Sequence, residues 1–103
     1  MIVEVGLFRI DRGGVAEFEP VADDIRSAFA GGGIRGLRSF HMAHAVEDAG
    51  RWAVLVGWDS IDDHERFVAS AEGERQRVLL GRFMTDAPEV FHVSLDDVTE
   101  GLR

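Results

Sequence analysis

The sequence predicts an α+β fold whose elements follow one another in the order β-α-β-β-α-β. Three observations support this order: short apolar runs of strand length, two longer segments with helical apolar spacing, and a polar turn between the second and third strands. Such an order gives a four-stranded antiparallel sheet with the helices on one face. The length of 103 residues favours one domain that spans residues 1–103.

The first predicted strand is Ile2–Ile10, and its side chains alternate between two faces. Val3, Val5 and Leu7 share one face, while Ile2, Phe8 and Ile10 share the other, with Glu4 and Gly6 between them. Because both faces are largely apolar, we expect this strand to be covered on both sides. Asp11–Gly14 should end it.

The second element is predicted to be a helix with a single apolar stripe. Its members, spaced by four, three and four residues, are Phe18, Ala22, Ile25 and Phe29. Pro20 fits the first turn of a helix, so the regular helix is expected to begin close to Glu19. Gly31–Gly33 should end it.

The next two strands are predicted to form a hairpin. Leu37–Val46 and Trp52–Trp58 are separated by Glu47–Gly50, a polar turn that contains glycine. The third strand carries no charge, which is typical of a central strand covered on both faces. Alternation places Trp52, Val54, Val56 and Trp58 on one face, and Ala53, Leu55 and Gly57 on the other.

Ser60 is predicted to cap a second helical region, and Asp63 completes a pattern similar to a capping box. We expect one helix interrupted near Gly73, where polar residues separate two apolar stripes. The stripes contain Ile61, His64, Phe67, Val68 and Ala71, and then Val78, Leu79, Phe83 and Met84. A turn at Thr85–Pro88 leads into the last predicted strand, Glu89–Leu95, and a polar tail at 96–103.

Helices on one face of the sheet leave its other face apolar and uncovered. An uncovered apolar patch of that size is expected to be buried in an interface. The sequence therefore predicts a homodimer formed through the sheet faces. The alternative is a monomer with a modest apolar face.

Composition excludes several classes of function. The net charge of −8, from 19 acidic and 11 basic residues, disfavours nucleic acid and anionic membranes as partners. No segment approaches the run of about 18 apolar residues that a membrane span needs, and the N-terminus, without a basic region and a long apolar run, is not expected to be a signal peptide. The absence of cysteine excludes disulfides and thiolate nucleophiles. We therefore expect a cytoplasmic protein.

Three groups of residues resemble those of a known family: Trp58-Asp59-Ser60, then His64 and Phe67, then Val90-Phe91-His92. Together with the element order, they make the chain similar to an antibiotic biosynthesis monooxygenase-type domain of the dimeric α/β barrel superfamily. The resemblance implies a ferredoxin-like fold and a barrel formed by two facing sheets. Members of this superfamily include cofactor-free oxygenases of aromatic polyketides, polyketide cyclases and haem-degrading enzymes.

Two branches of the superfamily match the chain poorly. The haem-degrading relatives use an Asn, a Trp and a His at positions that correspond to Leu7, Phe67 and Arg77. The plant-type polyketide cyclases use a Tyr and a His, at positions that correspond to Phe67 and the vicinity of Gly73. Since neither set is present, the resemblance points away from haem degradation and from that cyclase mechanism.

Histidines are the natural acid–base candidates, because histidine titrates near neutral pH. His41 and His44 should point to opposite faces of their strand, so they cannot serve one site. His64, on the second helix, and His92, on the last strand, could converge between helix and sheet. These two are the candidate catalytic residues, and a core histidine bonded to backbone is the alternative for each. No recognised metal-ligand spacing is present, so no metal site is predicted.

Four further residues are candidates for substrate binding. Trp52 and Trp58 share a strand face and, with Phe67, could form aromatic walls against a flat molecule. The alternative is that the tryptophans fill the core or a dimer interface. Arg38 could orient a carboxylate or phenolate of the ligand, or it could lie solvated at the surface.

The leading hypothesis is a monooxygenase-like enzyme that acts on an aromatic or polyketide-like molecule, with secondary metabolism as a candidate setting. His64 or His92 would remove a phenolic proton in an apolar pocket, and the carbanion would reduce dioxygen without metal, haem or flavin. The alternative is a non-catalytic, ligand-binding or stress-related dimer, and a polyketide cyclase comes next. A closed pocket bordered by both histidines and a tryptophan would favour the enzyme, whereas a filled interior would favour the alternative.

Overall fold

The computed structural model describes residues 1–95, and the predicted polar tail at 96–103 lies outside the described residues. The strands are β1 (Ile2–Arg9), β2 (Leu37–His44), β3 (Arg51–Trp58) and β4 (Glu89–Ser94). The helices are α1 (Val15–Ala30), α2 (Ile61–Val68) and α3 (Ala71–Gly81), and a 3-10 turn at Arg12–Gly14 precedes α1. This order confirms the predicted one, and the second helical region is interrupted, as predicted.

The sheet is antiparallel with the strand order β2-β3-β1-β4, so β1 and β3 are central. Together with helices on one face, it forms the ferredoxin-like α+β fold. The strand bounds differ slightly from the predicted ones: β2 ends at His44 rather than Val46. Ile10 lies beyond the end of β1, where it forms an isolated bridge with Met84.

The core lies between the sheet and α1. The predicted apolar stripe of α1 is confirmed, because all four of its residues are buried: Phe18, Ala22, Ile25 and Phe29. Phe18 packs edge-on against Trp52 with the ring centroids 4.8 Å apart. Phe29 stacks on Phe40 with the centroids 4.0 Å apart. Burial of each such ring stabilises the fold by roughly 1.5–3 kcal/mol.

The predicted start of α1 is wrong, since the helix begins at Val15 rather than close to Glu19. Pro20 therefore lies inside the helix, where it cannot donate a hydrogen bond to the carbonyl of Ala16. The burial of Phe18 explains why the helix begins at Val15 even though Pro20 then lies inside it. The side chain of Phe18 is 0% exposed, and a helix that began after it would remove this ring from the core.

The break in the second helical region is also displaced from its predicted place. It falls at Ala69–Ser70, and Gly73 lies within α3. The hydroxyl of Ser70 caps α3 by accepting a hydrogen bond from the amide of Gly73 at 3.1 Å. A Cβ atom on Gly73 would collide with the carbonyl oxygen of Phe67, so the tight junction between α2 and α3 requires glycine here.

The predicted second stripe of this region is confirmed only in part, because Phe83 and Met84 pack against the core but Val78 does not. Val78 is 47% exposed, whereas Gln76 is buried and donates a hydrogen bond to Glu72. Because two residues separate the end of α2 from the start of α3, the side chains of α3 that face the core do not continue the spacing of α2. Leu80 and Phe83, rather than Val78, pack against the core.

Gly73→Ala is expected to lower the free energy of unfolding by about 1–3 kcal/mol, the usual cost of forcing extra atoms into a packed site. Urea denaturation would measure it. Gly81→Ala is the matched control, because Gly81 ends the same helix and a Cβ there would have no neighbour within 4 Å. That variant should keep or slightly raise the stability. Equal stabilities for the two variants would contradict the steric argument.

The second face of the sheet carries no helix among residues 1–95, and we call it the bare sheet face. Its apolar members follow from the strand registers, and they include Val3, Val5, Leu7, Ala53, Leu55, Phe91 and Val93. Leu55, Phe91 and Val93 are 40%, 42% and 38% exposed. The predicted alternation of β1 and β3 is therefore confirmed. In the described part of the chain, no helix has the length and apolar character to cross a membrane.

Candidate active site

The structure brings His64 and His92 together at the junction of α2 and β4. His64 Nδ1 lies 2.7 Å from His92 Nε2, which is a hydrogen bond between the two rings. The ring centroids are 4.8 Å apart. The sequence left open whether these histidines converge, and the structure answers that they do. We call them the histidine pair.

The N-terminal cap of α2 determines where His64 lies. The hydroxyl of Ser60 accepts a hydrogen bond from the amide of Asp63 at 3.2 Å and donates one to its carboxylate at 2.9 Å. This confirms the predicted cap. Since α2 follows β3 after only two residues, its first turn lies directly over Trp58. His64 consequently stacks on Trp58, with the ring centroids 5.5 Å apart and the planes at 22°.

Glu4 of β1 completes the cluster. Its Oε1 atom lies 3.1 Å from His64 Nε2 and accepts a hydrogen bond from Trp58 Nε1 at 3.2 Å. The register of β1 and β4 also places Glu4 opposite His92. Sequence reasoning missed Glu4 as a site residue. A signal was available, because a lone carboxylate on the helix-covered face of a central strand needs polar partners.

The two histidines differ in their access to solvent. The side chain of His64 is 12% exposed and that of Glu4 is 19% exposed, whereas His92 is an exposed residue. Burial is the main cause that lowers the pKa of His64 below its usual 6.5; His92 lowers it further, and Glu4 and Glu65 oppose the change. Burial therefore favours the neutral form of His64, which has a lone pair on one ring nitrogen.

The helical layer does not extend over β4. The side chains of β4 that face the helix side are Val90, His92 and Ser94, which lie opposite Gly6, Glu4 and Ile2. All three are exposed, and we call them the β4 ledge. The ledge makes His92 reachable from solvent, while His64 lies behind it against the core.

Trp58 and Phe67 lie close to the histidine pair, but Trp52 does not. Phe67 contacts Trp58 with the ring centroids 5.7 Å apart. Trp52 lies at the other end of β3, where its Nε1 donates to the carbonyl of Ala49. Both tryptophans are only 1% exposed. They fill the core, which is the alternative that the sequence left open for them.

The remaining candidates lie on β2, away from the histidine pair. Arg38 forms an ion pair with Asp59 at 2.9 Å, and both side chains are largely exposed. His41 lies opposite Leu55 and His44 lies opposite Trp52. The prediction that these two histidines point to opposite faces is therefore confirmed.

Two surface grooves also lie away from the histidine pair. A groove of about 530 Å³ runs between α1 and β2 and includes Arg26, Arg38 and His41. A groove of about 330 Å³ lies between α2 and the loop after α1, and it includes Phe67. Neither His64 nor His92 borders them. The space around Trp58 is occupied by side chains.

Comparison with known proteins gives consistent matches. The model of the family described as antibiotic biosynthesis monooxygenase matches residues 1–75. The uncharacterized protein YczJ of Bacillus subtilis (strain 168) is 32% identical over 93 residues, which cover 89% of this chain and 96% of YczJ.

Two solved structures illustrate the likeness in fold. A proposed antibiotic biosynthesis monooxygenase from Bordetella bronchiseptica is 26% identical, with a TM-score of 0.79 over 92% of this chain and 96% of that one. SnoaB, a cofactor-independent oxygenase from Streptomyces nogalater, has a TM-score of 0.79 over 96% of each chain. At 18% identity, the likeness to SnoaB concerns the fold alone.

Proposed function

The chain belongs to the antibiotic biosynthesis monooxygenase family, and from that premise we propose that it is a cofactor-independent monooxygenase of an aromatic or polyketide-like small molecule. The observation that carries the proposal is the hydrogen bond between His64 and His92. It couples the exposed imidazole of His92 to the largely buried imidazole of His64, whose burial favours its neutral form. Deprotonation of a phenol requires a base that a ligand can reach, and His92 is the exposed member of the pair.

The reaction balances with dioxygen as the only co-reactant. The base removes a proton from the phenolic substrate, and the electron-rich carbanion that results passes electrons to O₂. One oxygen atom becomes bonded to the substrate carbon and the other leaves as water, so that a CH₂ group becomes a carbonyl. Because the substrate supplies the electrons, the proposed reaction requires no metal, haem or flavin.

The β4 ledge would receive the reacting end of the substrate. It presents the apolar side chain of Val90 beside the imidazole of His92, and both are exposed. Trp58 is buried, so its part in the proposal is to support His64 by stacking rather than to contact the substrate. Of the three aromatic candidates for substrate binding, Phe67 is the one that borders a groove, the one of 330 Å³.

The proposal includes a homodimer formed through the bare sheet face. The exposed side chains of Leu55, Phe91 and Val93 support it, because a contiguous apolar surface of this kind is usually buried in an interface. Such a dimer should bury more than about 1,000 Å² in total.

The net charge of −8 supports a protein without nucleic-acid or membrane partners. A cytoplasmic location remains part of the proposal.

A non-catalytic ligand-binding protein is the second candidate. The filled space around Trp58 favours it, as do the two grooves, which His64 and His92 do not border. The histidine pair would then be structural. His64 would stabilise the fold through its stacking on Trp58 and its contact with Glu4.

Oxygen uptake separates these functions. We expect the purified protein to consume one O₂ for each anthrone-type substrate oxidised, with the same rate in the presence of a metal chelator. Elemental analysis should find no stoichiometric transition metal, and haem titration should give no saturable absorbance band. Tight binding of the same compounds without oxygen uptake would favour the second candidate. One equivalent of metal or haem per chain would contradict cofactor independence.

A further inference from the structure

We propose that Glu4, His64 and His92 form a proton relay, in which Nδ1 of His92 accepts the substrate proton and Glu4 positions His64. The inference rests on the proposed function, and it assigns separate tasks to the two histidines. Its basis is that both ring nitrogens of His64 already have partners. Nδ1 faces His92 at 2.7 Å and Nε2 faces Glu4 at 3.1 Å, so the substrate must meet His92.

Hydrogen-bond chemistry determines the tautomer of each ring. Trp58 Nε1–H can only donate, so Oε1 of Glu4 is an acceptor. His64 Nε2 lies against the same oxygen and must therefore carry its hydrogen. A neutral His64 then has its lone pair on Nδ1, and His92 Nε2–H must donate to it. A neutral His92 consequently has its lone pair on Nδ1.

The proton can move through this chain in two steps. The substrate O–H bond breaks, and its proton bonds to His92 Nδ1. The hydrogen on His92 Nε2 then passes to His64 Nδ1 across the 2.7 Å bond. His92 is neutral again, and His64 becomes an imidazolium with N–H groups toward His92 and Glu4. The positive charge ends beside the Glu4 carboxylate, which lies 3.1 Å away. The same steps in reverse return the proton.

The charged and titratable groups around His64 come from three elements. Glu4 faces it from β1, His92 from β4, and Glu65 belongs to α2 itself. From β3, His64 meets Trp58, which does not titrate in this range. Glu4 and Glu65 both raise the pKa of His64, but only Glu4 contacts its ring in the hydrogen bonds and ion pairs described.

Nitrogen-15 NMR of the wild-type protein tests the relay without any substrate. Long-range ¹H–¹⁵N correlations identify which ring nitrogen carries the hydrogen in each neutral histidine. We expect Nε2–H for His64 and Nε2–H for His92. A neutral His64 protonated on Nδ1 would overturn the relay, even if the protein oxidises aromatic substrates. The expected tautomers in a protein that turns over no such substrate would instead overturn the proposed function.

A matched pair of variants tests the role of Glu4. Glu4→Gln keeps an acceptor for Trp58 but removes the charge, so the pKa of His64 should fall and the acidic limb of the pH–rate profile should move to lower pH. We expect kcat to fall roughly 10- to 100-fold, as is usual when a group that orients a functional imidazole is changed. Glu65→Gln removes the same charge without that contact, so its effect should be smaller. Equal effects of the two variants on the pKa of His64 would overturn the assignment of Glu4.

Discussion

Replacing His64 with alanine is expected to lower the turnover of an aromatic substrate by about 10²–10⁴-fold, the range that a general base contributes. The change removes the acceptor of the His92 hydrogen bond and the imidazole beside Glu4. His92 could still take a proton, but it could not pass the proton inward. The measurement is kcat from oxygen uptake, divided by the fraction of folded protein from circular dichroism. Added imidazole should restore part of the lost turnover, because the variant leaves a cavity of that shape.

His44→Ala is the control for this variant. His44 also packs edge-on against a tryptophan, with its centroid 5.5 Å from that of Trp52, but its Nδ1 atom bonds only to the carbonyl of Ala45. This change should therefore leave turnover unaltered.

His64→Ala should also lower the free energy of unfolding by about 1–3 kcal/mol, because it removes one of the hydrogen-bond partners of Glu4. A lower melting temperature with unchanged turnover per folded molecule would retire His64 as a catalytic residue and favour the ligand-binding protein.

Local periodicity predicted the fold well because, in this chain, it directly reflects burial. The alternation within β1 assigned Val5 and Phe8 to opposite faces, and the stripe of α1 identified Phe18 and Phe29 as core residues. Each of these inferences needs only a short segment of chain and the fact that apolar side chains avoid water. The same reasoning identified Ser60 as a cap, since a helix N-terminus requires a local acceptor.

The predicted element boundaries were wrong where packing contacts overrode local preference. Pro20 argued for a late start to α1, but burial of Phe18 extends the helix past it. Gly73 argued for a break at that position, whereas the break falls at Ala69–Ser70 and Gly73 allows the backbone to pass close to Phe67. Neither contact can be read from the residues immediately around it.

The candidate site was only partly predictable because its members come from four elements. His64 and His92 were named from their chemistry, but their meeting depends on the pairing of β4 with β1. The same pairing makes Glu4 a partner of the site, and the sequence does not specify the register. Trp52 was named as a site residue because it shares a strand face with Trp58. The two are six residues apart on β3, so Trp52 lies at the far end of the core and outside the site.

Leu55→Asp is expected to dissociate the proposed dimer. Leu55 lies in the central strand β3 on the bare sheet face, opposite Val5 on one side and His41 on the other. In a single chain it is 40% exposed, so an aspartate there would stay hydrated. In a dimer the charge would be buried in each copy, at a cost of about 3–5 kcal/mol for an unpaired charge. Each dimer would bury two such charges, and 1.4 kcal/mol is a factor of ten, so the dissociation constant should rise by at least roughly 10⁴-fold.

Sedimentation velocity at micromolar concentration measures this change, and Val46→Asp is its control. Val46 is 96% exposed in the turn between β2 and β3, so the same substitution there adds the same charge without entering the interface. The Val46 variant should sediment as the wild-type dimer, and the Leu55 variant as a monomer. A wild-type protein that sediments as a monomer would contradict the dimer itself. Two variants that both remain dimeric would place the interface elsewhere, because a charge cannot be buried in the middle of an apolar contact without weakening it.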